Sequence, residues 1–408
     1  MKKIILVIFL VITGLVLLAQ IDDDLSEQST DLIGRLVPTA ESESYLYLFG
    51  IFAKEDEDPT QVGKKMLAEY RQSISDNSEE FFGYPDADKL PLPTGEAFCR
   101  TWTEGCLAYL FSAELDAATL MADNKTLVAR SNAFLEFDEY TTVSAPTLHE
   151  ILPHYQYIVT AERIKTLQAV AAYRSGDAEQ AVSSLLDQFS MSRKAMALQD
   201  TLVGKLVFLM QLSEIIDITS VILSKEDLGV EKIPTLSQFE KSFHLIAARE
   251  FGMSYHTFQA LDKNPELFEL GGNLPGWVAR LLYKPNMTIN AVAPGYHRLE
   301  KLAQMSPADF AHQMDGDEGY TPSTSKLRNY VGYVLISISP GLDQYVARFT
   351  DFEAKLALFN QTHHSRQKLG IMENPYYGNE TPKEKNGRLC FSGPLEDRHY
   401  LRCLSVTI

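Results

Sequence analysis

Basic residues are scarce in this sequence. Its 408 residues carry 37 Lys and Arg against 54 Asp and Glu, so the formal net charge is −17. Nucleic-acid binding needs a basic face, and electrostatic adhesion to anionic lipid needs a basic segment. The composition therefore argues against a nucleic-acid partner and against membrane attachment through charge alone.

The common catalytic motifs are missing as well. The sequence has no G-x-S-x-G elbow, no P-loop and no dinucleotide fingerprint. It also has no redox Cys-x-x-Cys. These absences argue against the best-known nucleotide-dependent and serine-hydrolase classes, and the sequence predicts no cofactor.

Cysteine is rare, and its placement is informative. The four cysteines form two local pairs, Cys99 with Cys106 and Cys390 with Cys403. An even number in local pairs favours two disulfides and an oxidising compartment. A four-cysteine zinc site is the alternative, but structural zinc ligands usually stand two to four residues apart, and these spacings are wider.

The longest uninterrupted apolar stretch lies in the N-terminal segment. Residues 4–19 are apolar apart from Thr13 and Gly14; Lys2 and Lys3 precede the run, and three Asp follow it. This charge pattern predicts an exported chain with its N-terminus inside. The run, taken as residues 1–21, is either an uncleaved signal anchor or a signal peptide cleaved after Ala19. The predicted location is the cell envelope, with the following domain in the periplasm.

The remaining chain exceeds one typical core, so several subdomains are expected. Composition and breaks in the pattern divide it into a polar spacer at 22–44, an N-terminal helical subdomain at 45–155, a central helical domain at 156–365 and a C-terminal β element at 366–408. A short helix is expected near residues 32–36 of the spacer.

The clearest helical pattern lies in the central domain. Apolar residues recur at three-residue spacing from Ile164 to Tyr173, and Gly176 and Asp177 then supply a helix stop and an N-cap. A second amphipathic run follows, so the pair looks like one tetratricopeptide-type hairpin. Residues 202–223 are apolar nearly all round and predict a buried core helix.

Further helices are expected at 126–140, 236–261, 330–338 and 345–359, with a short one at 277–283 that ends at Pro285 and Asn286. The tail changes to β-branched and alternating residues, and a Cys390–Cys403 disulfide would staple a small β-hairpin. The predicted fold is mainly α, with an N-terminal membrane helix, a helical-hairpin ectodomain and this C-terminal β-hairpin.

Five short segments occur in a fixed order: the Cys99–Cys106 pair and residues 202–207, 283–290, 329–332 and 374–378. Together they resemble an uncharacterised family of exported or membrane-anchored proteobacterial proteins. The resemblance covers most of the chain after residue 40 and implies export, but no activity and no catalytic residue.

The histidines and one acidic loop are weak metal candidates. His149 and His154 stand five apart with Pro153 between them, whereas a zincin helix needs a spacing of four. His363 and His364 are adjacent and point apart, and no spacing joins them to His312 or His399. The loop at 315–319 lacks the ligand spacing of an EF-hand. No metal site is predicted.

Glu240 and Glu250 are the candidate catalytic residues. They lie about three helical turns apart, so they could face similarly and act as paired carboxylates on a glycan. A helix-buried ion pair of Glu250 with Arg249, Arg280 or Lys241 is the alternative. The stripe from Trp277 to Tyr283, with Arg280 and Lys284, either packs in the core or touches a bilayer or partner.

Three functions fit these observations. The leading hypothesis is a membrane-anchored envelope protein whose helical ectodomain binds a partner protein, with no enzymatic activity. The second is an envelope hydrolase that uses Glu240 and Glu250, for example on cell-wall glycan. The third is a protein that binds a small ligand or lipid between its helices.

Overall fold

The protein is described here by a computed structural model. It describes residues 20–36, 41–75, 88–264, 275–316, 320–339, 341–364 and 372–407, with the single positions 4, 14 and 85. The described chain is mainly helical with one small antiparallel sheet, which confirms the predicted class. The predicted membrane segment, residues 1–21, falls almost wholly outside the described residues.

The helices of the described residues are numbered in chain order. They are α1 (Glu27–Gly34), α2 (Glu43–Phe49), α3 (Pro59–Ser75), α4 (Cys106–Leu110), α5 (Ala117–Asp123), α6 (Lys125–Glu136), α7 (Gln156–Arg174), α8 (Ala178–Leu198), α9 (Leu202–Lys225), α10 (His244–Lys263), α11 (Gly276–Leu281), α12 (Pro285–Gln304), α13 (Pro307–Gly316), α14 (Tyr330–Ser337) and α15 (Asp343–Phe359). The strands are β1 (Lys383–Lys385), β2 (Arg388–Cys390) and β3 (Cys403–Ser405).

The predicted helical hairpin is present as α7 and α8. Gly176 ends the first helix with a φ of +93°, a conformation that suits glycine. The Asp177 side chain then accepts a hydrogen bond from the backbone N–H of Gln180 and caps α8. The two helices therefore run antiparallel and pack along their length.

Helix α9 forms the centre of the core, as its all-round apolar character predicts. Among the described helices it alone is long and apolar enough to cross a membrane, yet 83% of its most apolar window is buried inside the fold. It packs against α7, α8, α15 and β3. Its polar residues are buried too, and Lys355 of α15 donates to Asp217 at 2.8 Å.

Helix α12 organises the second half and was not predicted. Pro285 was expected to end a helix, but it lies in the first turn of one, where its missing N–H has no intrahelical partner to lose. The helix continues through Pro294 and packs against α1, α10, α14 and α15.

The C-terminal β element is a three-stranded antiparallel sheet in the order β1-β2-β3, not a simple hairpin. The tight hairpin joins β1 to β2 through Asn386 and Gly387, both with positive φ, which is the favoured chemistry of a two-residue turn. The predicted disulfide joins β2 to β3, where Cys390 pairs with Cys403. The other disulfide, Cys99–Cys106, is also formed.

Two buried carboxylates fix the C-terminal residues to the core. Asp217 of α9 accepts from the backbone N–H of Ser405 at 2.9 Å. Asp351 of α15 accepts from the hydroxyl of Tyr376 at 2.7 Å and from the guanidinium of Arg402 at 3.0 Å. The sheet, through Ser405, and the neighbouring residues Tyr376 and Arg402 are thus held by hydrogen bonds to two different core helices.

The residues that follow the apolar run are bound to α12 rather than extended into solvent. Asp22 accepts from the first backbone N–H groups of that helix. Asn290 donates to the Asp24 carbonyl and accepts from the Ser26 N–H, both at 2.8 Å. The segment expected to be a spacer is therefore, in its first part, an integral piece of the domain, and its helix is Glu27–Gly34.

Candidate functional site

A groove of about 700 Å³ lies between helices α5, α6, α7 and α8. Its walls carry small apolar side chains together with uncharged polar ones, and it has only two ionisable lining residues. The lining residues are Ala117, Ala118, Met121, Val128, Asn132, Lys165, Gln168, Ala169, Ala171, Ala172, Ser175, Gln180, Ser184, Asp187, Gln188 and Met191.

The depth of the groove comes from alanine on α7. Ala169 and Ala172 stand three residues apart and so share a helical face. Ala118 on α5 is equally small, and both α5 and α6 pack against α7. Because these side chains end at Cβ, space remains between helices whose backbones are held in contact.

Two of the lining residues, Lys165 and Gln188, are held by hydrogen bonds to Glu162. Glu162 is buried and accepts from the Ser131 hydroxyl at 2.8 Å and from the Lys165 ammonium at 3.1 Å. The Gln188 amide donates to the Glu162 carbonyl at 2.7 Å and accepts from Thr166 at 3.2 Å. Lys165 and Gln188 are therefore positioned before any ligand arrives.

The upper edges offer unused hydrogen-bonding groups. Asn132 and Gln168 are exposed, and neither side chain makes a hydrogen bond within the described part of the chain. An amide side chain supplies both donors and an acceptor. The groove thus combines small apolar side chains with polar groups that remain available, an arrangement suited to binding rather than to acid–base chemistry.

A second cavity, of about 300 Å³, lies beside Glu250 between α10, α12 and the start of α15. Burial, together with the nearby Glu150 carboxylate, raises the pKa of Glu250 despite the opposing charge of Arg249. Ser254 and Tyr296 share a hydrogen bond of 2.8 Å at its wall, and burial raises the pKa of Tyr296 to about 12. The cavity therefore favours the neutral forms of its polar groups.

Glu240, the other predicted carboxylate, lies in a different environment. It accepts hydrogen bonds from the Arg193 guanidinium and from the backbone N–H of Ser237, the latter at 2.6 Å. Burial opposes ionisation, but these hydrogen bonds outweigh it and lower the pKa of Glu240. Glu240 does not line the Glu250 cavity. The structure therefore gives the two carboxylates different partners and opposite pKa shifts.

The predicted ion pair of Glu250 with Arg249 takes another form. The Arg249 guanidinium bonds to Glu150 Oε1 at 2.5 Å and to the Ser144 carbonyl at 3.2 Å. Glu150 directly follows His149 in the segment with the failed zincin spacing, and the sequence predicts no partner for it. Its partner lies 99 residues away, so no local pattern could have indicated the pair.

Structural contacts are made by His154, His363 and His364. The His154 and Phe52 rings pack edge to face with their centroids 4.6 Å apart, whereas His149 is exposed. His363 Nε2 shares a hydrogen bond with the Ser220 hydroxyl at 2.9 Å, and His364 Nδ1 lies 3.0 Å from the Val230 carbonyl. Among the described residues no group of three or more His, Cys, Asp or Glu could hold a metal. Part of the 315–319 loop lies outside those residues.

Comparisons with protein-family models, with curated proteins and with solved structures find no match to this chain. Its function is therefore inferred from its own residues and geometry.

Proposed function

We propose that this chain is an envelope protein held in the inner membrane by residues 4–19, and that its helical ectodomain binds a segment of a partner protein. The groove between α5, α6, α7 and α8 is the observation that carries the proposal. Cleavage after Ala19 would leave the same domain free in the periplasm. The resemblance to exported proteobacterial proteins supports the envelope location.

The two disulfides also support export, since disulfides persist in oxidising compartments. The intact mass of the chain from the membrane fraction tests both parts of this statement. We expect a full-length chain that is lighter than the fully reduced form by two hydrogens for each disulfide. A mass that begins near Gln20 in the soluble fraction would replace the anchor with a cleaved signal, and four free thiols would contradict the location.

The size of the groove fits an extended polypeptide. Its α7 wall runs from Lys165 to Ser175, which is about 15 Å at the helical rise per residue. An extended chain covers that length with roughly five residues. Such a segment would lay apolar side chains against Ala169 and Ala172. Asn132 and Gln168 can hydrogen-bond the backbone of the bound segment, and such hydrogen bonds do not depend on the segment's amino-acid sequence.

Site-specific photocrosslinking tests this proposal. A photoreactive amino acid at Gln168, on the α7 wall, should give a discrete protein adduct in the native envelope. The matched control position is Ser183, which is exposed on α8 but does not line the groove. We expect no adduct from Ser183.

Filling the groove provides the second part of the test. Ala172→Trp should abolish the Gln168 adduct because the larger side chain occupies the space of the partner. Ala133→Trp, on an exposed position of α6 outside the lining, should leave the adduct unchanged. Equal adducts with and without Ala172→Trp, in variants with unchanged circular dichroism, would contradict the proposal.

The cavity beside Glu250 supports a second candidate, the binding of a small apolar ligand. Its volume of about 300 Å³ is at the lower end of ligand-site sizes, and its carboxyl group has a raised pKa. Native mass spectrometry of the purified chain should then show a bound small molecule. Val292→Trp, at the cavity wall, should remove it.

The hydrolase hypothesis stays a prediction with a direct test. Glu250→Gln keeps the size of the side chain and removes its acid–base chemistry. Cell-wall glycan digested by the wild-type chain but not by this variant would favour catalysis. We expect no digestion by either chain.

A further inference from the structure

The apolar N-terminal run joins the domain at one defined place. The run ends at residue 19, and Gln20 lines a surface cavity of about 580 Å³ together with Trp277, Leu281 and Lys284. The Lys284 ammonium donates to the Gln20 side chain at 3.3 Å. Gln20, the residue that directly follows the run, therefore lies next to helix α11.

Helix α14 starts at the same place. The backbone N–H of Val331 donates to the Leu282 carbonyl at 3.1 Å, which ties the start of α14 to the end of α11. The Arg328 guanidinium, just before α14, donates to the Ile21 carbonyl at 2.7 Å. Both helices are thus fixed to the residues through which the apolar run enters.

These two helices expose large apolar side chains. Trp277 is 68% exposed and Leu281 47%, and their four-residue spacing puts them on one face of α11. On α14 and its C-cap, Tyr330, Val334 and Ile338 repeat the same spacing. We call the exposed set the apolar rim; it comprises Trp277, Leu281, Leu327, Tyr330, Val334 and Ile338.

Exposure at the rim is high for apolar residues. Leu327 is 92% exposed and Ile338 is 74% exposed. Scattered surface leucines are normal, but a cluster of large apolar residues marks a contact surface. Tryptophan and tyrosine are enriched where proteins meet the bilayer interface. The rim therefore has the composition of a membrane-contacting surface.

The two arginines near the rim are paired with carboxylates. Arg328 pairs with Asp23 at 3.0 Å, and Arg280 lies 3.4 Å from Asp262. Since these two charges are matched and the chain as a whole is acidic, net charge does not favour adsorption to anionic lipid. The attraction of the rim to a bilayer would come from apolar contact.

We propose that the apolar rim rests in the interface of the same bilayer that holds residues 4–19. This inference depends on the membrane attachment proposed above, because the bound run brings α11 and α14 to the lipid surface. The rim then sets the orientation of the whole ectodomain on the membrane.

The two tryptophans make a direct test possible. Trp277 belongs to the rim, whereas Trp102 packs against the His399 ring with centroids 5.7 Å apart. The full chain is reconstituted into phosphatidylcholine vesicles with and without brominated acyl chains, which quench tryptophan on contact. We expect brominated lipid to reduce the emission of the wild-type chain. Trp277→Phe, a conservative change at an exposed position, should abolish the reduction, and Trp102→Phe should keep it.

The possible outcomes distinguish a failure of the proposed membrane attachment from a failure of the proposed contact between the rim and the bilayer. A chain that alkaline carbonate removes from vesicles would contradict the membrane attachment itself and the rim with it. A retained chain whose emission is quenched equally with and without Trp277 would overturn the rim alone. So would quenching that needs anionic lipid and disappears in high salt, because that contact would be electrostatic. Crosslinks between copies through Leu327→Cys, without quenching, would assign the rim to a second copy instead.

Discussion

Asp22, near the N-terminus, caps helix α12 although the two are more than 260 residues apart in sequence. Its carboxylate accepts from the backbone N–H of Asn286 at 2.8 Å and from that of Met287 at 3.2 Å. The first N–H groups of a helix have no partner within the helix. A carboxylate there satisfies two of them and also interacts favourably with the helix dipole. The residues after the apolar run are therefore part of the fold.

Removal of this cap should weaken the domain. Asp22→Ala leaves two N–H groups without their acceptor, and loss of a cap typically costs about 1 kcal/mol. Thermal unfolding of the full chain in detergent measures the change. Asp24→Ala is the matched control, because only the backbone carbonyl of Asp24 takes part in the contact with Asn290. An equal loss in both variants would show that local acidity matters instead of the cap.

The two disulfides should contribute unequally to stability. On the chain-entropy model, the 13-residue separation of Cys390 and Cys403 corresponds to about 3 kcal/mol and the 7-residue separation of Cys99 and Cys106 to about 2.5 kcal/mol. Denaturant unfolding of the double serine variants measures both. If replacing Cys99 and Cys106 lowers the free energy of unfolding clearly more than replacing Cys390 and Cys403, then native contacts rather than loop length determine the contribution of each disulfide.

Acid should destabilise the domain through His363. Burial lowers the pKa of its imidazole to about 4, so the unfolded chain binds the proton more readily than the folded one. The stabilising contribution is complete above pH 6.5 and is lost as pH falls toward 4, by roughly 3 kcal/mol at most. In the His363→Gln variant, the free energy of unfolding should therefore change less between pH 6.5 and pH 4 than in the wild-type chain. His364→Gln, on the neighbouring residue, should keep the wild-type slope.

Asp351 should give the opposite dependence. Burial and the Asp397 carboxylate raise its pKa to about 7 despite the pairing with Arg402. The folded chain then holds the proton more tightly, so this contribution is complete below the ordinary aspartate pKa and is lost as pH rises toward 7. Asp351→Asn should remove that loss. An unchanged slope between pH 4 and 7 in the variant would contradict the assignment.

The sequence predicts the fold correctly where residues that are close together in the chain determine the structure. Gly176 and Asp177 mark the turn between α7 and α8, because a left-handed stop and an N-cap need those residue types. The cysteine pairs are close in sequence, and both form disulfides. The all-round apolar pattern of α9 likewise predicts its burial.

The elements that the sequence analysis predicted wrongly or missed depend on contacts between distant residues, or on residues that are compatible with more than one structure. Pro285 fits a helix start as well as a helix end, and the sequence interpretation took it as an end. The Asn386-Gly387 turn carries a recognisable hairpin signal that the sequence interpretation overlooked. The groove has no such signal, since Ala117 and Ala172 meet only through the packing of α5 on α7.

The contact between Asp22 and α12 also constrains the order of folding. A ribosome makes the chain from its N-terminus, yet the partners of Asp22 lie 264 and 265 residues later. Asp22 must therefore wait until most of the chain has been synthesised before its hydrogen bonds can form. The first residues of the domain to be made are among the last to reach their native contacts, and a truncated chain that stops before Pro285 leaves that end of the domain open.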